Sequence, residues 1–346
     1  MIFIGDIACP SLKVDSFISS IKNLGIFKNE IVVLNLEANI LDEKENKRSL
    51  TLFNSPKVID AFTDAKKVIV TMANNHMYDY PSKIQITASY LRSKNIGVFG
   101  ICEKDGSVLP FEYEDNGIKY AYFGHCWGLY TRTNTNDEND VRIVDHDYDV
   151  FAKIVLDYVK MNPETKVYCF MHWNYDREKL IMTMHRRFAH YLIDRGVEGI
   201  IGSHSHRPQG AEIYKGKPIA YGLGNFYLPS GIYFDGKLVY PDYAKETYAL
   251  KISGGNSSLI WFETDKNGGV ISLILEEDLN GEKISKYSPF CNMSDNHYVS
   301  YFKEHRSKSL FVPIFSDFQG EKYHFNEKWA INRVKLIRLI KKLVKR

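Results

Sequence analysis

Asp6 follows an apolar run at residues 1–4, Glu37 follows one at 31–34, and Asn74, Asn75 and His76 follow a third at 68–72. His172 follows the run 167–171, and His204 and His206 follow 199–201. A single histidine after a strand is ordinarily a capped or solvated residue. Five runs ending in Asp, Glu, Asn, His and His-x-His point instead to one shared centre. Carboxylate, amide and imidazole donors without thiolate suit a divalent ion such as Mn²⁺, Fe or Zn²⁺. In extended backbone His204 and His206 point the same way, about 6.6–7 Å apart. So placed, they reach different members of an ion pair about 3.5–4 Å apart, with Glu37 or Asp6 bridging. Such a pair activates a bound water and clamps the attacking and leaving oxygens of a displacement. His76, next to Asn75, is placed to donate a proton to a leaving group.

These donors need elements that bring them to one edge. Apolar runs at 1–4, 31–34, 68–72, 96–99, 120–123, 167–171, 199–201 and 219–223 fit strands covered on both faces. Helical patterns near 15–24, 56–64, 82–93, 148–160 and 185–195 lie between them, with Asp15 and Ser82 as N-caps and Gly25 and Gly196 as stops. This is an α/β pattern, and ligands in such sheets bind outside the carboxyl ends of the strands. From about residue 248 the texture becomes all-strand, broken by Gly-Gly and Asn-Gly turns, which closes a sheet. Residues 280–328 have weak periodicity, and 134–140 read as a polar loop.

Over 346 residues, 44% hydrophobic and 25% charged residues with a net charge of +3 exclude a disordered, collagenous or nucleic-acid-coating chain. The small total hides an asymmetry: residues 333–346 hold seven basic and no acidic side chains, so the rest of the chain is net acidic. Leu336, Ile337, Leu339, Ile340, Leu343 and Val344 share one helical arc, opposite Lys335, Arg338, Lys341, Lys342, Lys345 and Arg346. Such a helix either lies on an anionic membrane or packs its apolar arc on the domain. No nucleic acid is expected as a partner. The five cysteines form no C-x-x-C pair, which reads as a reducing compartment without disulfides. No run reaches the ~18 apolar residues of a membrane span, and the first four residues are too short for a secretory signal. The expectation is a cytoplasmic protein, with a peripheral membrane contact through residues 333–346 as one of these two alternatives.

Gly5-Asp6, Asn35-Leu36-Glu37, Ala73-Asn74-Asn75-His76 with Asp79, His172-Trp173, Gly202-x-His204-x-His206 and Tyr221-Gly222-Leu223-Gly224-Asn225-Phe226 occur in that order. Together they resemble the CapA family, bacterial capsule or poly-γ-glutamate synthesis proteins related to calcineurin-like metallophosphoesterases. The resemblance covers roughly residues 1–255. It implies a four-layer αββα sandwich with a centre of one or two divalent ions at one edge of its two sheets. Carried over residue by residue, Asp6, Glu37, Asn75, His172, His204 and His206 take the metal-ligand positions, and His76 takes the proton-donor position. Asn74, Asp79, Trp173, Asp176, Arg207 and Asn225 are expected to support the ligands or to meet substrate. Two departures stand out. Ala8 occupies a position where metallophosphoesterases usually carry histidine, and His172-Trp173-Asn174-Tyr175-Asp176 replaces the common His-Trp-Gly-x-Glu.

Three segments are expected: a sandwich domain at 1–278, an extension at 279–332 and a basic amphipathic helix at 333–346. The function implied is metal-dependent hydrolysis, of a phosphoester before an amide, on an anionic small-molecule or polymer substrate of capsule or envelope synthesis. A non-catalytic accessory protein with a degraded centre is the alternative, favoured by Ala8. A nucleotide or nucleic-acid phosphodiesterase is chemically permitted but lacks a basic groove in the composition. Outside these motifs, His125 and Trp127 read as a packed loop or a pocket lining. His185, Arg186 and Arg187 read as a solvated helix face or a phosphate contact.

Overall fold

The computed structural model describes residues 1–42, 51–103, 105–131, 141–265, 269–308 and 311–344, with side chains of the last helix described to Leu336. The polar loop expected at 134–140 lies outside the described residues. Strands Ile2–Ile7, Ile31–Leu36, Lys67–Thr71 and Gly97–Phe99 pair in parallel. Strands Glu246–Ser253, Asn256–Thr264 and Ile271–Asp278 extend the same sheet antiparallel from the other side of Ile2–Ile7. The C-terminal strands therefore close this sheet, as their turn signals indicated. In the second sheet Ile118–Cys126, Lys166–His172, Gly199–Ser203 and Lys217–Ala220 run parallel. Phe111–Asp115 and Ala211–Tyr214 flank them antiparallel.

The continuous apolar runs are explained by what covers them. Phe3, Val33 and Ile69 of the first sheet meet Tyr122, Phe170 and Ile201 of the second in one apolar layer. Helices Ser11–Leu24 and Ile84–Ser93 cover the outer face of the first sheet. Helices Tyr148–Met161 and Thr183–Ile193 cover the outer face of the second. The result is a four-layer αββα sandwich in which each fully buried aliphatic or aromatic side chain contributes roughly 1.5–3 kcal/mol. Both sets of parallel strands deliver their carboxyl ends to one edge.

Several local boundaries differ from the sequence reading. The first helix starts at Ser11 after Pro10, whose fixed φ suits a helix start, so Asp15 lies inside it rather than at its cap. Ser82 sits in a 3-10 turn, Pro81–Lys83, before the helix Ile84–Ser93. The pattern at 56–64 forms a 3-10 helix, Val58–Phe62. Gly25 ends the first helix at φ 68°, a left-handed conformation that glycine adopts without steric cost.

Residues 279–344 are not an appendage. Phe290, Tyr298, Phe302, Phe315, Tyr323 and Ala330 enter the same core as the helices over the second sheet. Helix Asp295–His305 begins at Ser294, whose side chain accepts from the backbone N–H of His297. The helix that carries residues 333–344 begins at Glu321.

Candidate metal centre

Each donor sits at or just beyond the end of a strand: Asp6 in Ile2–Ile7, Glu37 after Ile31–Leu36, His172 at the end of Lys166–His172, and His204 and His206 after Gly199–Ser203. Asn75 and His76 open a 3-10 helix, Asn75–Asp79. The two sheets bring these ends together. His172 Nε2 lies 2.8 Å from Asn75 Oδ1, 2.9 Å from His204 Nδ1 and 3.6 Å from Glu37 Oε1. Donors bound at about 2.1 Å around one ion lie about 3.0–3.4 Å from one another, and the three contacts of His172 Nε2 bracket that spacing.

A second group adjoins the first. His206 Nδ1 lies 3.5 Å from Asp6 Oδ2 and 2.9 Å from Asn225 Oδ1. Glu37 belongs to two sets whose donor atoms all fall within 4.8 Å of one another, one with Asp6 and His172, the other with His204 and His206. Of the two bridging options left open by sequence, Glu37 is the carboxylate that has this shared position. Ala8 is fully buried in an apolar cluster with Leu41, Leu52, Tyr233 and Tyr240, and its side chain offers no donor there.

The electrostatics fit a cation. Burial pushes the Glu37 carboxyl well above its ordinary value, and the charge of Asp6 pushes it further. Burial raises Asp6 as well, against the lowering effect of His206. Burial holds His172 and His204 well below the usual histidine range, which favours the neutral imidazole, the form that binds metal. Glu37 Oε1 and His204 Nε2 are buried without hydrogen-bond partners. Buried polar atoms without partners are costly, and a cation held between the carboxylates and imidazoles would satisfy them.

The supporting residues divide clearly. Asp79 Oδ2 lies 2.9 Å from His76 Nδ1 and also accepts from the Leu52 N–H, which leaves His76 Nε2 facing Glu37 Oε1 at 4.0 Å. Asn74 is buried and braces the backbone, donating to Leu36 O and accepting from the Ala38 N–H. Trp173 is buried too, donating to Tyr221 O at 2.8 Å. Asp176 lies 3.7 Å from Arg177. Arg207 stacks its guanidinium on Tyr243 at 4.1 Å. Asn35, which the sequence reading does not place in the site, donates its amide to Asp6 Oδ1 at 2.7 Å and Glu37 Oε2 at 2.6 Å. Its signal was a polar residue two before Glu37, on the same strand face. Tyr130 and Tyr240 also cover the centre, their rings 4.1 Å from His204 and 5.5 Å from His206. Among 23 tyrosines no sequence feature singled them out.

Two expectations are corrected. The His-x-His pair is not extended: His204 and His206 both have left-handed backbones, at φ 84° and 53°, with ring centroids 5.7 Å apart. The strand ends at Ser203, and the turn beyond it stores about 1–3 kcal/mol of strain per residue. Close approach of chains also explains Gly202, where a Cβ would lie 1.9 Å from Tyr221 O. The second correction concerns the helix Thr183–Ile193. Arg186 is neither solvated nor a phosphate contact, because it is buried and forks onto both oxygens of Glu212 at 3.1 Å. His185 is buried between Trp127 and Trp173. His125 is buried against Tyr148 and Phe151, as a packed residue.

The model of the bacterial capsule synthesis protein family PGA_cap matches residues 6–230. A capsule biosynthesis protein CapA from Bacillus anthracis is 25% identical over 201 residues, 56% of this chain and 48% of that protein. A probable polyglutamine synthesis accessory protein of Mycobacterium tuberculosis is 24% identical over 211 residues, 57% of this chain and 55% of that one. The chain thus spans about half the length of the curated relatives it matches. Among solved structures, the calcineurin-like phosphoesterase YfkN from Bacillus subtilis aligns with TM-score 0.41 and 13% identity, covering 84% of this chain and 89% of that one. That likeness is distant, and the fold is read from the two sheets themselves. With more than half of its residues matched and the family's motifs gathered at one edge of an αββα sandwich, the chain belongs to the bacterial capsule synthesis protein family PGA_cap.

Proposed function

We propose that the chain is a divalent-metal-dependent hydrolase that cleaves a phosphoester in an anionic precursor or polymer of capsule or envelope synthesis. The observation that carries this reading is the gathering of Glu37 Oε1, Asn75 Oδ1 and His204 Nδ1 around His172 Nε2. Asp6, Glu37 and His206 hold the adjoining position. A bound divalent ion would supply charge that activates water and stabilises a developing oxyanion. The residues around it do the rest. Asn35 fixes the two carboxylates, Asn225 orients His206, and Asp79 holds His76 so that Nε2 can protonate a leaving oxygen. Tyr130 and Tyr240 exclude water from the imidazole faces.

Metal analysis of purified protein, with a screen of chromogenic phosphomonoesters and phosphodiesters under Mn²⁺, tests the reading. Bound Mn, Fe or Zn with turnover supports it; metal-free protein with undiminished activity overturns it. A second reading, an accessory protein that binds polymer without catalysis, rests on Ala8 lying in an apolar cluster where a donor is expected. Metal bound at one ion per chain without turnover on the natural polymer would favour that reading.

A further inference from the structure

The last helix presents an apolar stripe that nothing in the protein covers among the described residues. Phe325 is 70% exposed, Trp329 52% and Leu336 56%, and Phe311 beside them is 75% exposed. Spacings of four and seven residues put Phe325, Trp329 and Leu336 on one face of the helix. Trp329 Nε1 donates to Phe311 O at 3.4 Å, which joins the preceding segment to the stripe. The opposite face is anchored. Tyr323 and Ala330 enter the core over the second sheet, and Tyr323 Oη accepts from Trp127 Nε1 at 3.4 Å. Lys322 flanks the stripe on one side, and Lys328 and Lys335 flank it on the other, all three exposed. In sequence, Leu339, Ile340 and Leu343 continue the apolar spacing within the segment of seven basic and no acidic residues. Among the described residues no helix is long and apolar enough to cross a membrane.

We infer that this face docks on an anionic lipid bilayer, with Phe311, Phe325, Trp329 and Leu336 entering the interface and the flanking lysines meeting the headgroups. Aromatic rings prefer the headgroup boundary, where one end is apolar and the other wet. Basic residues near an anionic surface are drawn to its headgroups. A protein partner would not specifically require a stripe of aromatics bordered on both sides by lysine. Charge complementarity therefore selects the lipid surface. This inference is independent of whether the metal centre turns over.

Co-sedimentation of the full chain with vesicles of phosphatidylcholine, with and without phosphatidylglycerol, tests it. Binding should require the anionic lipid and weaken as salt rises. Trp127, Trp173 and Trp261 are fully buried, so a blue shift of tryptophan emission on adding vesicles reports Trp329. Phe325→Ser with Trp329→Ser should lower partitioning by about tenfold or more, with an unchanged thermal transition. Absence of binding to anionic vesicles, or equal binding by the double variant, overturns the inference. So does concentration-dependent self-association that the same variant abolishes, since the face would then belong to a second copy.

Discussion

The buried carboxylates Glu212 and Glu37 lie in polar clusters that differ in how their charges close. Around Glu212, both carboxylate oxygens are taken: Arg186 forks onto them, His190 Nε2 lies at 2.7 Å and Tyr221 Oη donates at 2.5 Å, while Asp295 receives the remaining arm of Arg186. Burial alone would raise that carboxyl; the contacts with His190, Arg186 and Tyr221 reverse the effect and hold it at about 2. Around Glu37, two carboxylates share one amide from Asn35, neutral imidazoles crowd in, and acceptors are left unpaired. The first cluster is complete in its own atoms. The second leaves buried acceptors unpaired, and that difference marks it, rather than the first, as the candidate metal centre.

The contrast can be broken or sharpened experimentally, most severely at the centre itself. His204→Ala with His206→Ala removes donors from both groups and should abolish metal retention, reducing hydrolysis to background, with a far-UV spectrum like that of the parent. Retained metal, measured by plasma mass spectrometry, would break the assignment. His76→Ala should lower turnover by about 10²–10⁴-fold at unchanged metal content; equal loss of metal would make His76 a ligand instead.

Glu212→Gln leaves Arg186 underpaired in the core and should cost about 3–5 kcal/mol in urea unfolding without changing metal content. The sign of its pH dependence follows from the depressed carboxyl. Its stabilisation is present above the ordinary value of 4.5 and drains as pH falls toward about 2, so the parent should lose a step of stability in that window that the variant lacks. Asn35→Ala should have the smallest effect, weakening metal affinity by about 10–100-fold as the two carboxylates lose their common brace. Metal-binding titration would show it, and unchanged affinity would confine Asn35 to packing.

The donors were legible because polar residues at the ends of otherwise apolar runs have few other reasons to recur in five places. The αββα architecture followed from six ordered motifs, and the closing strands from their Gly-Gly and Asn-Gly turns. What stayed hidden was long-range or masked by composition. Nothing local to Arg186 announces that Glu212, on a strand beyond the next one, will fork with it. The left-handed turns at His204 and His206 carry no glycine to mark them. Residues 280–328 showed little periodicity because their apolar side chains, such as Phe290, Phe315 and Phe318, reach the core from short irregular segments rather than from one repeating face.

The contact between Trp127 and Tyr323 has a practical consequence for any shortened form of the chain. Trp127 packs on Tyr130, whose ring covers His204, so the last helix is tied through three aromatic side chains to the floor of the centre. A truncation at 320 would remove a structural member and confound lost docking with a loosened site. A cut beyond Ala330 preserves Tyr323 and the buried face while removing Leu336 and the basic segment, and so isolates that segment's share of surface attachment from the integrity of the centre.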